Sequence, residues 1–164
     1  MTAATVESRS LDEAQLIALA QRLAPALRGG GVIYLVGELG AGKTTFARAL
    51  LRALGIDARI KSPTYSLIES YRAGAIVVHH LDLYRIADPG ELEWLGLADL
   101  TAEPHLLVVE WPERAGHALP RPDLVVNLAH APEARKVLLE GKTPTGAEWI
   151  AAAQLDSMQK ASRG

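Results

Sequence analysis

Apolar residues near the start of the chain recur at the spacing of an amphipathic helix. They follow one another at intervals of three or four residues, at Leu16, Leu19, Ala20, Leu23 and Leu27. Ser10 precedes this run, and Glu13 follows Ser10 by three residues, which is the pattern of a capping box. The pattern predicts a first helix that begins at Ser10 and ends at the glycine-rich segment 28–31.

Short apolar runs further along predict a sheet. A buried strand is expected in VIYLV, and the helix that follows it should end near Leu54, with Gly55 as its stop. Strands 66–71 and 75–83 are joined by three residues and should form an antiparallel hairpin. Strands are also predicted in HLLVVEW, DLVVNLA and ARKVLLE, the last two as a second hairpin, with a short helix in DPGELEWLGL. We therefore expect an α/β fold whose sheet is mixed parallel and antiparallel and is flanked by helices.

Composition narrows the class of protein. A chain of 164 residues that is 49% hydrophobic predicts one domain over residues 1–164. Residues 1–9 and 157–164 are expected to fray, with a further helix around Trp149. No apolar run is long enough to cross a bilayer and the first residues do not resemble a secretory signal, so we expect a cytoplasmic protein without membrane contact. The absence of cysteine excludes thiolate chemistry, and a net charge of −2 argues against a broad basic face for DNA or RNA.

The segment GELGAGKTT carries the clearest chemistry. Gly37, Gly42, Lys43 and Thr44 fit the phosphate-loop pattern, and the expected strand and helix flank it. The loop should direct backbone N–H groups and a helix N-terminus at an anion, with Lys43 reaching the β- and γ-phosphates and the Thr44 hydroxyl binding magnesium. The predicted nucleotide-binding loop comprises Gly37, Glu38, Leu39, Gly40, Ala41, Gly42, Lys43, Thr44 and Thr45.

A phosphate loop needs a carboxylate at the end of a neighbouring strand, and the sequence offers two. Glu110 ends the continuous apolar run LLVVE, and Asp82 ends VVHHLD less cleanly. Either could organise magnesium and water, and the pattern leaves open which one is the base. The segment KSPTYS at 61–66 is a candidate sensor of the γ-phosphate or a simple proline turn.

Other polar and aromatic residues support weaker interpretations. His79 and His80 are adjacent, so on a strand they face opposite sides and are not expected to bind one zinc ion together. Trp94 and Trp149 are predicted to be core or docking residues. Arg48 and Arg52 are predicted to form a solvated helix face, with contact to a partner as the alternative.

Four blocks in this order closely resemble the bacterial TsaE ATPases: GELGAGKTT, SPTYSLIESY, HHLDLYRIADPGELEWLGL and VVEWPERAGHALPRPDLVV. The resemblance covers residues from about 10 to about 140. It implies a P-loop ATPase that is needed for threonylcarbamoyladenosine modification of tRNA at position 37 and works with TsaB and TsaD, the latter performing the transfer to tRNA. It also implies ATP and Mg²⁺ as cofactors, with tRNA contacted through the complex.

The resemblance assigns roles to individual residues. Thr44 and Glu110 correspond to the magnesium ligands, and Asp82 in DLYR corresponds to a residue used in hydrolysis, with Lys43 on the phosphates. Arg135 could reach the nucleotide, and Ser10 could approach the adenine, although a capping role also explains Ser10. We expect hydrolysis to be slow for the chain alone and faster with its partners.

Two other function classes share the phosphate loop. A small P-loop kinase would pass the γ-phosphate to a metabolite, but it usually needs an arginine-bearing lid, and no long arginine-rich segment is evident. A regulatory GTPase would read guanine through Asn-Lys-x-Asp, which does not occur in the chain. The kinase therefore stays as the alternative to the accessory ATPase.

Overall fold

A computed structural model describes the backbone of residues 4–57, 59–60 and 67–163 and the side chains of residues 10–57, 59–60 and 67–153. Within these ranges the chain forms an α/β fold. Its elements are β1 (Ala4–Leu11), α1 (Glu13–Leu27), β2 (Gly31–Gly37), α2 (Lys43–Ala53), β3 (Ile68–Ala73), β4 (Ile76–Asp82), α3 (Glu91–Trp94), α4 (Leu97–Leu100), β5 (His105–Glu110), a 3₁₀ turn (Pro112–Ala115), β6 (Leu124–Ala131), β7 (Ala134–Gly141) and α5 (Pro144–Arg163).

The strands form one mixed sheet in the order β1-β7-β6-β2-β5-β4-β3. Strands β6, β2, β5 and β4 are mutually parallel, and the hairpins β3–β4 and β6–β7 are antiparallel, as is β1 on β7. Both predicted hairpins and the predicted mixed sheet are thus confirmed. The parallel order brings the C-terminal ends of β2, β4 and β5 to the same edge, where the phosphate loop begins.

The two faces of the sheet are covered by different kinds of structure. Helices α1, α2 and α5 pack on what we call the helix-covered face, where apolar residues of β2 and β5 such as Ile33 and Val108 are buried. The opposite, turn-covered face meets α3 and the 3₁₀ turn, where Leu92 and Ala115 are buried against Leu107 and Val109. Because side chains alternate along a strand, each strand contributes to both faces.

The predicted start of the first helix is wrong. Asp12, not Ser10, is the N-cap. Its side chain accepts a hydrogen bond from Gln15 N–H, and Gln15 Oε1 accepts one from Asp12 N–H, so the capping box forms two residues later than predicted. Ser10 instead belongs to β1, opposite Lys136 of β7. The expected helix end is confirmed at Leu27.

Three further differences concern element bounds. Residues 4–9, expected to fray, form most of β1, and α5 continues through residues 157–163. The predicted short helix is two single turns, α3 and α4, because Gly96 between them has a φ of 68° in the left-handed region.

Among the described residues, no helix combines the length and apolar character needed to cross a bilayer.

Candidate functional site

The loop between β2 and α2 places a glycine at the helix start. Gly42 has a φ of 109°, which favours glycine, and a Cβ there would lie 3.1 Å from a methyl group of Leu16. A Cβ on Gly37 would meet the carbonyl of Leu128 on β6. Close packing against β6 therefore requires glycine at Gly37, and the backbone conformation requires it at Gly42. Helix α2 begins with the backbone N–H groups of Lys43 and Thr44 near the loop.

Lys43 is almost fully buried at the mouth of the loop. Its Nζ donates hydrogen bonds to the carbonyls of Gly37, at 2.6 Å, and Glu38, at 2.8 Å, and lies 4.2 Å from the ring centroid of Trp111. Burial lowers the pKa of Lys43, and the negative charge of Glu110 is the largest influence in the other direction. The ammonium is thus held by the loop's own oxygens and by an aromatic face.

Glu110 connects α2 to the centre of the sheet. The Thr44 hydroxyl donates to Glu110 Oε1 at 2.9 Å, and Glu110 Oε2 lies 2.6 Å from His80 Nε2. Glu110 is 2% exposed and His80 is fully buried. Both carboxylate oxygens therefore have a partner, one from α2 and one from β4.

Asp82 ends β4 directly opposite Glu110 in the parallel register. Its Oδ1 accepts a hydrogen bond from Tyr84 N–H at 3.1 Å. Burial raises the pKa of Asp82, and the negative charge of Glu110 adds to the rise. The site thus contains two neighbouring carboxyl groups in different surroundings, the condition under which two acids take different roles.

Trp111 turns the chain immediately after Glu110. Its φ of 59° is in the left-handed region, which is uncommon for a bulky side chain. The turn places the indole over Lys43 and 4.9 Å from the ring of Tyr84, with the Arg114 guanidinium 5.8 Å from the indole centroid. Aromatic and cationic groups thereby form one wall of the site.

These groups surround a cleft of about 450 Å³ at the C-terminal edge of the sheet. The structure brings together residues that are far apart in the sequence. The lining consists of Leu39, Gly40, Gly42, Lys43, Thr44, Thr45, Asp82, Tyr84, Arg85, Glu110, Trp111 and Arg135.

The other predicted site residues lie around this cleft in different ways. Gly37 and Glu38 do not line it but supply the carbonyls that hold Lys43, and Ala41 is buried in the core beneath the loop. Ser10 lies on β1 and is not among the lining residues, so its approach to the adenine stays a prediction. The segment 61–66 lies outside the described residues.

Sequence reasoning overlooked His80 as a member of the site. Alternation along β4 puts His80 and Asp82 on the same face of the strand, so the pattern HHLD did carry a signal. His79, on the other face, contacts the Ser70 hydroxyl at 2.7 Å and the Leu100 carbonyl at 2.9 Å. The two histidines therefore have unrelated surroundings.

The two tryptophans also separate. Trp149 is 3% exposed and belongs to the core, as one of its predicted alternatives states. Trp94 is 91% exposed on α3, so it is not a core residue, and its docking role stays a prediction. Arg48 and Arg52 are exposed on α2, in agreement with a solvated face.

A family model described as Threonylcarbamoyl adenosine biosynthesis protein TsaE matches residues 10–137. Two proteins described as tRNA threonylcarbamoyladenosine biosynthesis protein TsaE show the extent of the similarity. The one from Haemophilus influenzae is 40% identical over 121 residues, covering 74% of this chain and 77% of the relative. The one from Bacillus subtilis is 34% identical over 123 residues, covering 75% and 77%.

A solved structure shares the fold. The crystal structure of Bacillus subtilis YdiB superposes with a TM-score of 0.75 over 96% of this chain and 99% of that one, at 22% sequence identity. The agreement of the family model, which spans most of the chain, with the two relatives decides the classification. The chain belongs to the TsaE family.

Proposed function

We propose that this chain binds and hydrolyses ATP with Mg²⁺ as an accessory protein in threonylcarbamoyladenosine modification of tRNA at position 37, acting with TsaB and TsaD. The modification pathway is the one for which its relatives are named. The observation that carries the ATPase assignment is the grouping of Lys43, Thr44 and Glu110 where the phosphate loop meets α2 and the end of β5.

The residues of the cleft fit a magnesium nucleotide. A hydroxyl and a carboxylate oxygen, on Thr44 and Glu110, lie 2.9 Å apart, and both are ligand types that Mg²⁺ prefers. The N-terminus of α2 and the loop favour an anion, and Lys43 supplies a compact positive charge beside it. When bound, Mg²⁺·ATP supplies the phosphoanhydride bond and the divalent charge that screens it.

Asp82 is the better candidate for positioning the attacking water. Glu110 already has a partner on each carboxylate oxygen, whereas Tyr84 N–H is the hydrogen-bond donor found for Asp82 within the described part of the chain. Its raised pKa also makes Asp82 a stronger proton acceptor than an ordinary aspartate. We therefore assign the water to Asp82 and the metal to Glu110 with Thr44.

A partner is proposed to complete the site. Charge that develops on the γ-phosphate is stabilised by a positioned cation, and an arginine supplied in trans contributes about 10³ to 10⁵ in rate. The chain carries a net charge of −2, which suits docking onto a tRNA-binding partner better than holding tRNA itself. Slow turnover alone and faster turnover in the complex follow from both points.

The test is steady-state phosphate release by the chain alone and by a reconstituted mixture with TsaB, TsaD and tRNA. We expect slow release alone, acceleration in the mixture, and loss of the Mg²⁺-dependent rate in Thr44→Ala and Glu110→Ala. Turnover of the isolated chain at about 1 to 100 s⁻¹, unchanged by partners, contradicts the accessory role. Transfer of the γ-phosphate to an added metabolite instead of water identifies a kinase.

A further inference from the structure

His80 is the buried group that the proposed chemistry has not used. It lies on β4 beneath the cleft, and its Nε2 approaches Glu110 Oε2 at 2.6 Å. His80 is opposite Val108 in the register of β4 and β5, so it reaches Glu110 diagonally across two neighbouring parallel strands. The contact joins two separate strands directly under the phosphate loop.

The hydrogen-bond pattern indicates which ring nitrogen of His80 carries the proton. Its Nδ1 is buried and has no hydrogen-bond partner within the described residues. An unpaired buried N–H costs more than an unpaired lone pair next to apolar groups, and the ionised carboxylate of Glu110 only accepts hydrogen bonds. The favoured tautomer therefore carries its proton on Nε2 and donates it to Glu110 Oε2.

The hydrogen bond from His80 to Glu110 Oε2 also affects the other carboxylate oxygen, Oε1. Once Oε2 is held by His80, rotation of the carboxyl group is restricted, and Oε1 remains towards the Thr44 hydroxyl at 2.9 Å. Glu110 Oε1 and the Thr44 hydroxyl oxygen are the two atoms proposed to bind Mg²⁺. Residues that hydrogen-bond to a metal ligand typically change metal affinity by about 10- to 100-fold when they are replaced.

We infer that His80 is a positioning residue of the magnesium site, whose Nε2–H holds Glu110 so that its Oε1 stays paired with Thr44. The inference rests on the proposed role of Glu110 as a magnesium ligand. It assigns His80 no contact with the nucleotide, because the side chain is fully buried below Glu110.

The experiment compares two amides that differ in reach. In His80→Gln the side-chain nitrogen can occupy the place of Nε2, whereas in His80→Asn the shorter amide reaches only the place of Nδ1. The measured quantity is the ratio of ADP dissociation constants in EDTA and in Mg²⁺, by calorimetry, so no turnover is involved. His79→Leu, on the other face of β4, is the matched control.

We expect His80→Asn and His80→Leu to lower this ratio by about 10- to 100-fold. If Mg²⁺ tightens ADP binding to the wild type by less than this factor, we expect these variants to bind ADP equally well with and without Mg²⁺. His80→Gln and His79→Leu should keep the wild-type ratio, and affinity in EDTA should be unchanged in all four. A folded His80→Asn with the wild-type ratio, or a folded His80→Gln that loses it, overturns the inference.

A measurement on the unchanged protein decides the matter where the variants do not fold. Nitrogen-15 NMR of labelled histidine reports which ring nitrogen carries the proton. We expect His80 to be protonated on Nε2; protonation on Nδ1 alone overturns the inference. Absence of any Mg²⁺ gain in the wild type is a different result, since it refutes the proposed metal site itself.

Discussion

The helix-covered and turn-covered faces of the sheet differ in how firmly they are held. Among the described residues, the core of the first contains 28 buried apolar residues and that of the second contains eight. The candidate site lies where the two meet: Lys43 and Thr44 begin a long helix of the first face, while Trp111 precedes the short 3₁₀ turn of the second. The comparison indicates a fixed half of the site, which positions ligands, and a half that local rearrangement can alter.

The largest expected effect tests the packing of the two faces. Phe46→Ala, within α2, should lower the free energy of unfolding by about 3–5 kcal/mol, because a fully buried ring is removed between long helices and the sheet. Leu92→Ala, on α3, should cost about 2 kcal/mol, since a single helical turn can relax into the space. Denaturant titration measures both, and an equal or larger loss for Leu92→Ala would contradict the comparison.

The next effect concerns binding on the fixed half. Lys43→Ala should weaken ATP binding by about 10- to 100-fold, because a charge-assisted contact of about 1.5–3 kcal/mol is lost. Arg48→Ala removes a cation from an exposed position of the same helix and is the matched control. Calorimetry should show the loss in the first variant alone; unchanged affinity in Lys43→Ala would refute the phosphate-loop assignment.

A smaller effect should appear as a pH dependence at Asp82. Because burial raises the pKa of Asp82, its ionised form is less favourable in the folded protein than in the unfolded chain. Asp82→Asn should therefore be more stable than the wild type at neutral pH, and this advantage should shrink as the pH falls through the raised pKa and vanish below about pH 4. Urea unfolding at several pH values checks this, with Asp99→Asn on α4 as control. A stability advantage of Asp82→Asn that grows as the pH falls would contradict a raised pKa of Asp82.

The smallest expected effect is at Trp94. The side chain is 91% exposed, so Trp94→Ser should change the free energy of unfolding by no more than about 0.5 kcal/mol. Trp149→Ala, in the core of the helix-covered face, should cost about 3–5 kcal/mol. Thermal unfolding of the two variants measures the contrast, and a strongly destabilised Trp94→Ser would show that α3 packs more firmly than its exposure indicates.

Local patterns in the sequence predicted most of the fold. The hairpin of β3 and β4 followed from a three-residue connection, and the end of α2 followed from Gly55, because turns and helix ends depend on neighbouring residues. The start of α1 was missed because two overlapping capping patterns compete. Ser10 is committed to β1 by pairing with β7, more than 120 positions away, which leaves Asp12 as the cap.

The candidate site divides in the same way. Lys43 and Thr44 were predictable because the phosphate-loop pattern is contiguous in the sequence. The bond between His80 and Glu110 was not, since it joins residues 30 positions apart and depends on the register of β4 against β5. A shift of that register by one residue would turn one of the two side chains to the opposite face.

The contacts of Lys43 make ligand binding an exchange rather than an addition. Its ammonium already donates to the carbonyls of Gly37 and Glu38. A phosphate group that recruits it displaces those acceptors, so a measured affinity is the difference between two sets of bonds. A positive charge at this position is therefore not sufficient for binding. Lys43→Arg would keep the charge, but a planar guanidinium cannot occupy a position shaped for a compact ammonium between two carbonyls and an indole.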